Sequence, residues 1–271
     1  MGQSITDKQW AEYQETGYLR IGQVLNDREL KALQTRIDDI MLGKADVDYD
    51  RMLMQLDSSS GTYADAGQQT KGHKGSHLNY RKIQELEFDP LFLEYIQRPI
   101  FREICARVYG ASTPIACFRA MFMNKPAGKG TWLPWHQDRW THLDRDPLLT
   151  VYTALDPATK ANGCVQIVPG SHKRGVINAS HSSGFLELEQ AKREATPDKI
   201  IYMESEPGEV ALLHNWVLHA SDVNRSNISR RAFSVCYIDA RTTASNGEQY
   251  TRIFGDGALT PDQLKPVGAR T

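Results

Sequence analysis

The sequence predicts a mainly β protein with flanking helices. Its core is expected to be a double-stranded β-helix of the jelly-roll, cupin-like type, behind a helical first third. Three observations predict this. From Pro114 onward, β-rich runs follow one another, most of them bounded by Gly, Pro, Asn or Asp. Helical periodicity with capping signals is concentrated before residue 110. No internal repeat and no linker divides the 271 residues, so a single domain over 1–271 is expected.

The elements follow in order. Thr6 with Gln9 reads as a capping box, and Gly17 ends the helix it opens. Tyr18-Leu19-Arg20-Ile21 is a short strand candidate. Asn26 with Glu29 repeats the capping pattern, and Leu30, Leu33, Ile37 and Ile40 keep helical spacing up to Gly43. Residues 44–80 are polar and rich in Asp, Ser and Gly. They read as a lid or binding loop, or as a partly disordered stretch. His73 and His77 stand there at i, i+4, but the flanking glycines argue against a helix, so exposed histidines are expected. Helical pattern resumes over 91–109 and completes a helical support over 1–110. The jelly-roll core is expected over 111–240, with strands at 115–123, 148–155, 164–169, 208–214 and 232–238. Residues 187–194 are the best helical signal inside it, and 241–271 form a C-terminal extension.

Bulk properties exclude several classes. Hydrophobic content of 40% is ordinary for a globular chain. A formal charge of −1 points to neither nucleic acid nor a membrane surface. No apolar run approaches the roughly 18 residues that a span needs. The N-terminus has no basic region and no apolar core, so no signal peptide and a cytoplasmic location are expected. Met1-Gly2 with Thr6 fits the short myristoylation pattern, although the following residues read simply as a helix start. Cys105, Cys117, Cys164 and Cys236 form no CxxC and read as buried free thiols. The sequons at Asn178, Asn224 and Asn227 are chance matches without export.

The chemistry concentrates in His136-Gln137-Asp138. In a strand, residues i and i+2 share a face, so His136 and Asp138 would converge while Gln137 points away. Two histidines and one carboxylate leave metal positions open, as in non-haem Fe(II) oxygenases. The third ligand must come from another strand. His214 and His219 both flank the apolar run Val210-Ala211-Leu212-Leu213. His219 is the better choice, because Arg230 follows it at eleven residues. A buried arginine suits the far carboxylate of a 2-oxoglutarate cosubstrate. His214 reads as a core or turn histidine. Zinc is the chemical competitor for the same ligands, with Asp222 as a possible base; Arg230 leans toward iron.

These residues resemble the phytanoyl-CoA dioxygenase family, a branch of the Fe(II)/2-oxoglutarate oxygenases. The matching pieces are Trp135-His136-Gln137-Asp138, Asn162-Gly163-Cys164-Val165-Gln166-Ile167-Val168-Pro169-Gly170-Ser171-His172, and His219-Ala220-Ser221 with Arg230. The resemblance implies that His136, Asp138 and His219 bind Fe(II). It implies that Arg230 and Ser221 hold the distal carboxylate of 2-oxoglutarate, with Thr153 and Asn124 as further contacts. It implies that O2 and 2-oxoglutarate are consumed as a substrate C–H bond is hydroxylated. Related halogenases lack the carboxylate, so Asp138 argues for hydroxylation. The Pro169-Gly170-Ser171-His172 turn is expected to be structural.

The stretch from Asn124 to Pro157, with Leu213-His214-Asn215-Trp216, is similar to bacterial organophosphonate hydroxylases of this family. That implies a small zwitterionic substrate, 2-aminoethylphosphonate or an N-methylated analogue, hydroxylated at the carbon next to phosphorus. Arg119, Lys125, Arg139, Arg174 and Asn178 are candidates for its anionic end, and Tyr80 and Trp140 for its ammonium. Each also has a structural reading. By strand parity, Arg119 faces outward if Asn124 faces inward. An amino acid or betaine-like substrate, a zinc hydrolase and a binding protein without turnover are the alternatives.

Overall fold

The structure, a computed structural model, describes residues 4–264; Met1 and Gly2 of the acylation pattern lie outside them. In chain order the elements are α1 (Asp7–Thr16), β1 (Tyr18–Gln23), α2 (Asp27–Met41), β2 (Leu53–Leu56), β3 (Thr70–Lys71), β4 (Tyr80–Ile83), α3 (Pro90–Ile96) and α4 (Pro99–Tyr109). Then come β5 (Ile115–Lys125), β6 (Leu133–His136), β7 (Leu149–Ala154), β8 (Val165–Val168), α5 (Leu188–Glu194), β9 (Ile201–Met203), β10 (Glu209–His214), β11 (Leu218–Ser221), β12 (Arg230–Asp239) and β13 (Thr251–Phe254).

The helices start where the sequence places them. Thr6 and Asn26 form reciprocal capping boxes with Gln9 and Glu29. Gly17 closes α1 at φ 74°, in the left-handed region. A Cβ there would also lie 2.5 Å from the His172 ring, so glycine is required twice over. The run 91–109 is two helices rather than one. Asp89 caps α3, and Pro99 opens α4 after a break at Gln97 and Arg98.

The strands form two antiparallel sheets. The major sheet runs β1-β10-β7-β12-β5-β4-β2-β3, with β13 also on β5; the minor sheet runs β6-β11-β8-β9. The minor sheet packs on one face of the major sheet through Val165, Ile167, Met203 and Val217 against Tyr152, Ala211, Leu213 and Ala232. Helices α1 to α4 cover the other face through residues such as Tyr13, Leu33, Phe92 and Phe101, which meet Phe122, Val151, Leu212 and Phe233. The central strands are therefore buried on both faces, as all six residues of β7 show. Such strands read as unbroken apolar runs, which is why the sequence reveals them.

Two regions differ from expectation. Residues 44–80 are not all loop: β2 pairs with β4, β3 pairs with β2, and β4 joins β5. Met54 and Tyr80 are fully buried. His73 and His77 are half-buried rather than exposed. The His73 Nε2 lies 2.9 Å from the Met41 carbonyl, and both rings pack near Tyr80. The C-terminal extension likewise contributes β13, which pairs with the start of β5. All four cysteines are free and buried. Among the described residues, no helix is long and apolar enough to cross a membrane.

Candidate metal centre and its cavity

His136 and His219 are brought together by register. They are direct cross-strand partners of β6 and β11, and their ring centroids lie 4.1 Å apart. Each Nδ1 is turned to a backbone carbonyl, 2.8 Å from Pro134 O and 3.0 Å from Val217 O. Those bonds place the proton on Nδ1 and leave the Nε2 lone pairs free. Both Nε2 atoms face Asp138, at 3.8 Å from its two carboxylate oxygens. One ligand atom from each of the three residues falls within a mutual 4.8 Å. Burial and the neighbouring His219 push His136 down to about 3, so it is a neutral ligand. Donor types, tautomers and spacing fit Fe(II), with one carboxylate charge and open positions.

Asp138 reaches this place by a route that strand parity did not foresee. β6 ends at His136, and Asp138 lies beyond it. Its N–H donates to the Asn215 carbonyl at 2.8 Å. Gln137, fully buried, fixes the turn. Its amide donates to Gly175 O and Trp216 O, and its Oε1 accepts from Ile177 N–H. Gly184 packs so closely on this turn that a Cβ would lie 2.1 Å from the Gln137 carbonyl oxygen. Phe185 then stacks on His136 with centroids 4.7 Å apart. Sequence reasoning read Gln137 only as the residue that points away; its three bonds hold the ligand loop.

The ligands open into a cavity of about 120 Å³ between the two sheets. Arg230 lines it and is only 4% exposed. It donates to the Tyr152 hydroxyl at 2.7 Å, and its buried Nε has no partner. Ser221 also lines the cavity, two residues from His219. A buried guanidinium without a carboxylate is the expected receptor for an incoming one, so the residues fit 2-oxoglutarate.

Other site expectations need correction. Thr153 does not line the cavity. It faces the helical side, where its Oγ1 is 2.6 Å from the Tyr95 hydroxyl. The alternate positions of β7, Thr150 and Tyr152, line the cavity instead. Asn124 borders the cavity, but its NH2 is committed to the Leu78 and Tyr80 carbonyls. The oxygen left over is an acceptor and cannot hold a carboxylate. Arg119 faces inward, not outward, on the same face of β5 as Met121, Met123 and Lys125. Its guanidinium lies 4.9 Å from the Phe118 ring centroid and 4.7 Å from that of Trp140.

The remaining candidates divide cleanly. Lys125 and Trp140 line the cavity. Arg139 donates to the Ala179 carbonyl, Arg174 pairs with Glu194, and Asn178 bonds to Phe185 O. None of these three is on the cavity wall, and Tyr80 is core. His214 accepts from Trp216 N–H in a turn. Asp222 is tied to Arg225 at 3.0 Å and is absent from the wall, which removes the base a hydrolase would need. Two residues were missed: Arg81, bonded to Gln55 at 2.8 Å, and Lys82. Both lie on β4, inside a segment whose polarity suggested loop.

The electrostatics follow. The cavity is lined by Arg81, Lys82, Arg119, Lys125 and Arg230, and its one lining carboxylate is Asp138. Among the described residues, none of these cations is ion-paired. Burial, then Arg230 and Arg81, push Lys125 down to about 6. Burial, then Arg81 and Arg119, push Lys82 down to about 7.

Comparison with known proteins agrees with this chemistry. The family model described as phytanoyl-CoA dioxygenase (PhyH) matches residues 13–232. A probable phytanoyl-CoA dioxygenase of Caenorhabditis elegans is 27% identical over 246 residues, covering 87% of this chain and 76% of the relative. The fold resembles that of EctD from S. alaskensis with bound Fe, with a TM-score of 0.67 at 19% identity over 92% of this chain and 81% of the other. It also resembles SnoK, a non-heme alpha ketoglutarate dependent carbocyclase from nogalamycin biosynthesis, with a TM-score of 0.62 at 19% identity over 90% and 88%. The chain belongs to the phytanoyl-CoA dioxygenase family, and it is an Fe(II)- and 2-oxoglutarate-dependent dioxygenase.

Proposed function

We propose that this dioxygenase hydroxylates an unactivated C–H bond of a small anionic metabolite. The substrate class we assign is 2-aminoethylphosphonate or an N-methylated analogue, attacked at the carbon next to phosphorus. One observation carries the reading: a cavity at the ligand triad is lined by the guanidiniums of Arg81, Arg119 and Arg230, with Lys82 and Lys125 beside them, and has no carboxylate except a metal ligand. Such a wall favours an oxyanion strongly. For an ammonium end the wall offers aromatic rings, Tyr152 and the part of Trp140 that Arg119 leaves open.

In this reading His136, Asp138 and His219 hold Fe(II). Arg230 and Ser221 hold the distal carboxylate of 2-oxoglutarate, with the Tyr152 hydroxyl orienting the guanidinium. Bound iron with 2-oxoglutarate supplies the oxidising power of the reaction, drawn from O2 and yielding succinate and CO2. The chain's own part is placement. The apolar wall of Met121, Met123, Leu213 and Val165 keeps water from the reacting carbon, and Phe185 stacks on His136 to hold the ligand ring. Gln137 keeps Asp138 in register with the histidines.

Two measurements test this. Anaerobic addition of Fe(II) and 2-oxoglutarate is expected to give the broad visible charge-transfer band, and His219→Ala to abolish it. If the band is missing, or survives in His219→Ala, the site assignment is wrong. Succinate release is expected with 2-aminoethylphosphonate or its trimethylated analogue. Absence of coupled turnover with any phosphonate removes the substrate and leaves the chemistry.

A further inference from the structure

We propose that Arg119, held against the Phe118–Trp140 pair and assisted by Lys82, is the receptor for the anionic group of the primary substrate and decides which substrates reach the metal. The inference rests on the dioxygenase reading above and adds a second anion site to it.

The cavity has two cationic ends. On β5, Arg119 and Lys125 share the inward face at six residues' separation. At roughly 3.3 Å per residue, that places their backbones about 20 Å apart. Arg230 is the cross-strand partner of Lys125, and Cys236 is the partner of Arg119. Arg230 and Arg119 therefore mark opposite ends of one wall. A five-carbon diacid spans only about 6 Å between its carboxylates. One molecule of 2-oxoglutarate cannot serve both ends.

The metal ligands sort the two ends. Ser221, two residues from His219, is at the Arg230 end: a Cβ at Gly163 would meet both the carbonyl of the next residue, Asp222, and the Cδ of Lys125, the cross-strand partner of Arg230. Trp140, at the Arg119 end, is two residues beyond Asp138. The triad thus stands between a cosubstrate end and a second cationic end, which is where a substrate must approach.

Arg119 is built for that task. One side of its guanidinium rests on an aromatic pair, Phe118 and Trp140, whose rings meet edge-on with centroids 4.5 Å apart and help to hold it in place. Stacking leaves the in-plane N–H donors free, and these match a carboxylate or phosphonate bidentately. Among the described residues no carboxylate pairs with it. Lys82 lies on β4 opposite Met123 and brings a second cationic group to the same wall. Met121 and Met123 line the wall between, an adaptable surface for a small carbon skeleton.

The test uses the anaerobic Fe(II)/2-oxoglutarate complex, titrated with methylphosphonate and with acetate by calorimetry, while the visible band reports retained 2-oxoglutarate. We expect methylphosphonate to bind without displacing 2-oxoglutarate. Arg119→Gln should weaken that binding by about tenfold or more, and Lys82→Met by less, with 2-oxoglutarate affinity changed by less than about twofold. Arg230→Gln should do the reverse. Arg119→Lys, which keeps charge but loses the fork, should fall between wild type and Arg119→Gln. Preferential binding of acetate, still lost in Arg119→Gln, keeps the receptor and moves the substrate class to carboxylates. Unchanged methylphosphonate binding in Arg119→Gln and Arg119→Lys, displacement of 2-oxoglutarate, or no anion binding by wild type overturns the proposal. No band and no succinate, with anion binding intact, would instead defeat the dioxygenase reading.

Discussion

On β5, Ala120 and Phe122 point into the helical core, while Arg119, Met121, Met123 and Lys125 on the alternate positions line the metal cavity. β7 divides in the same way, with Val151 and Thr153 on one side and Thr150 and Tyr152 on the other. The helical face is dry and close-packed. Phe92 and Phe233 meet at 4.7 Å, and Tyr95 contacts both Phe101 and Phe233. The cavity face carries guanidiniums without carboxylate partners and two lysines that burial shifts toward the neutral form. Unpaired charge out of water is unfavourable to folding. One sheet thus separates two duties by strand alternation. Apolar burial against the helices supplies the stability that lets the other face hold charges for ligands.

The largest effects should separate the faces outright. Phe233→Ala, on the helical face, is expected to destabilise by about 3–5 kcal/mol, because it empties a fully buried site. Its folded fraction should bind 2-oxoglutarate normally. Arg230→Met, on the cavity face, should weaken 2-oxoglutarate binding by about 100-fold, since it removes a charge-assisted bidentate contact. Its resistance to urea should be equal to wild type or higher, because a buried cation without a carboxylate is gone. Urea titration and anaerobic 2-oxoglutarate binding check both. A destabilised Arg230→Met with intact binding would show that Arg230 serves the fold and not the cosubstrate.

The faces should also titrate in opposite senses. On the helical side, burial and then Glu85 push Glu87 up to about 8, and its Oε2 has no partner. A raised acid stabilises fully below the unfolded value of about 4.3, and that contribution is lost as pH rises through the folded value. On the cavity side, Lys125 is depressed to about 6. A depressed base gives the reverse slope: stability is lost as pH falls from about 10.4 toward the folded value. Glu87→Gln should therefore gain on wild type as pH climbs from about 4 to 8. Lys125→Met should gain most at or below about pH 6, and less toward pH 10. Parallel pH profiles of the two variants' unfolding free energies would show that the faces do not differ in this way.

Much of this was legible in the sequence, for local reasons. The capping boxes at Thr6 and Asn26 declare themselves because both partners lie within four residues. The central strands show as apolar runs because they are covered on both sides. His136, Asp138, His219 and Arg230 were found because metal and carboxylate chemistry restricts the residue types. What failed was facing. A strand buried on both faces has no polar alternation, so nothing in the sequence says which side Thr153 or Arg119 takes. Strand parity set Arg119 outward on the condition that Asn124 faces inward; Arg119 lines the cavity, while Asn124 only borders it with its amide committed to the Leu78 and Tyr80 carbonyls. Arg81 and Lys82 were missed because β4 is short and follows a polar stretch. What makes it a strand is its pairing with β2 and β5.

The smallest effect tests the facing of β7 directly. Thr153 and Tyr95 share a buried hydroxyl contact at 2.6 Å on the helical face. Thr153→Val keeps the shape and removes one partner, so the Tyr95 hydroxyl is left buried and unpaired. Burial already pushes the Tyr95 hydroxyl well above its usual range, so it stays protonated and must seek an acceptor. The expected loss is about 1–2 kcal/mol in urea unfolding, with 2-oxoglutarate affinity unchanged. Tyr152→Phe makes the complementary cut on the cavity face. It removes the acceptor of the Arg230 bond, so it should weaken 2-oxoglutarate binding several-fold, by roughly the value of one hydrogen bond to a charged group. If Thr153→Val weakened 2-oxoglutarate binding and Tyr152→Phe did not, the facing of β7 would have to be reversed. Arg230 would then be oriented by something other than the Tyr152 hydroxyl.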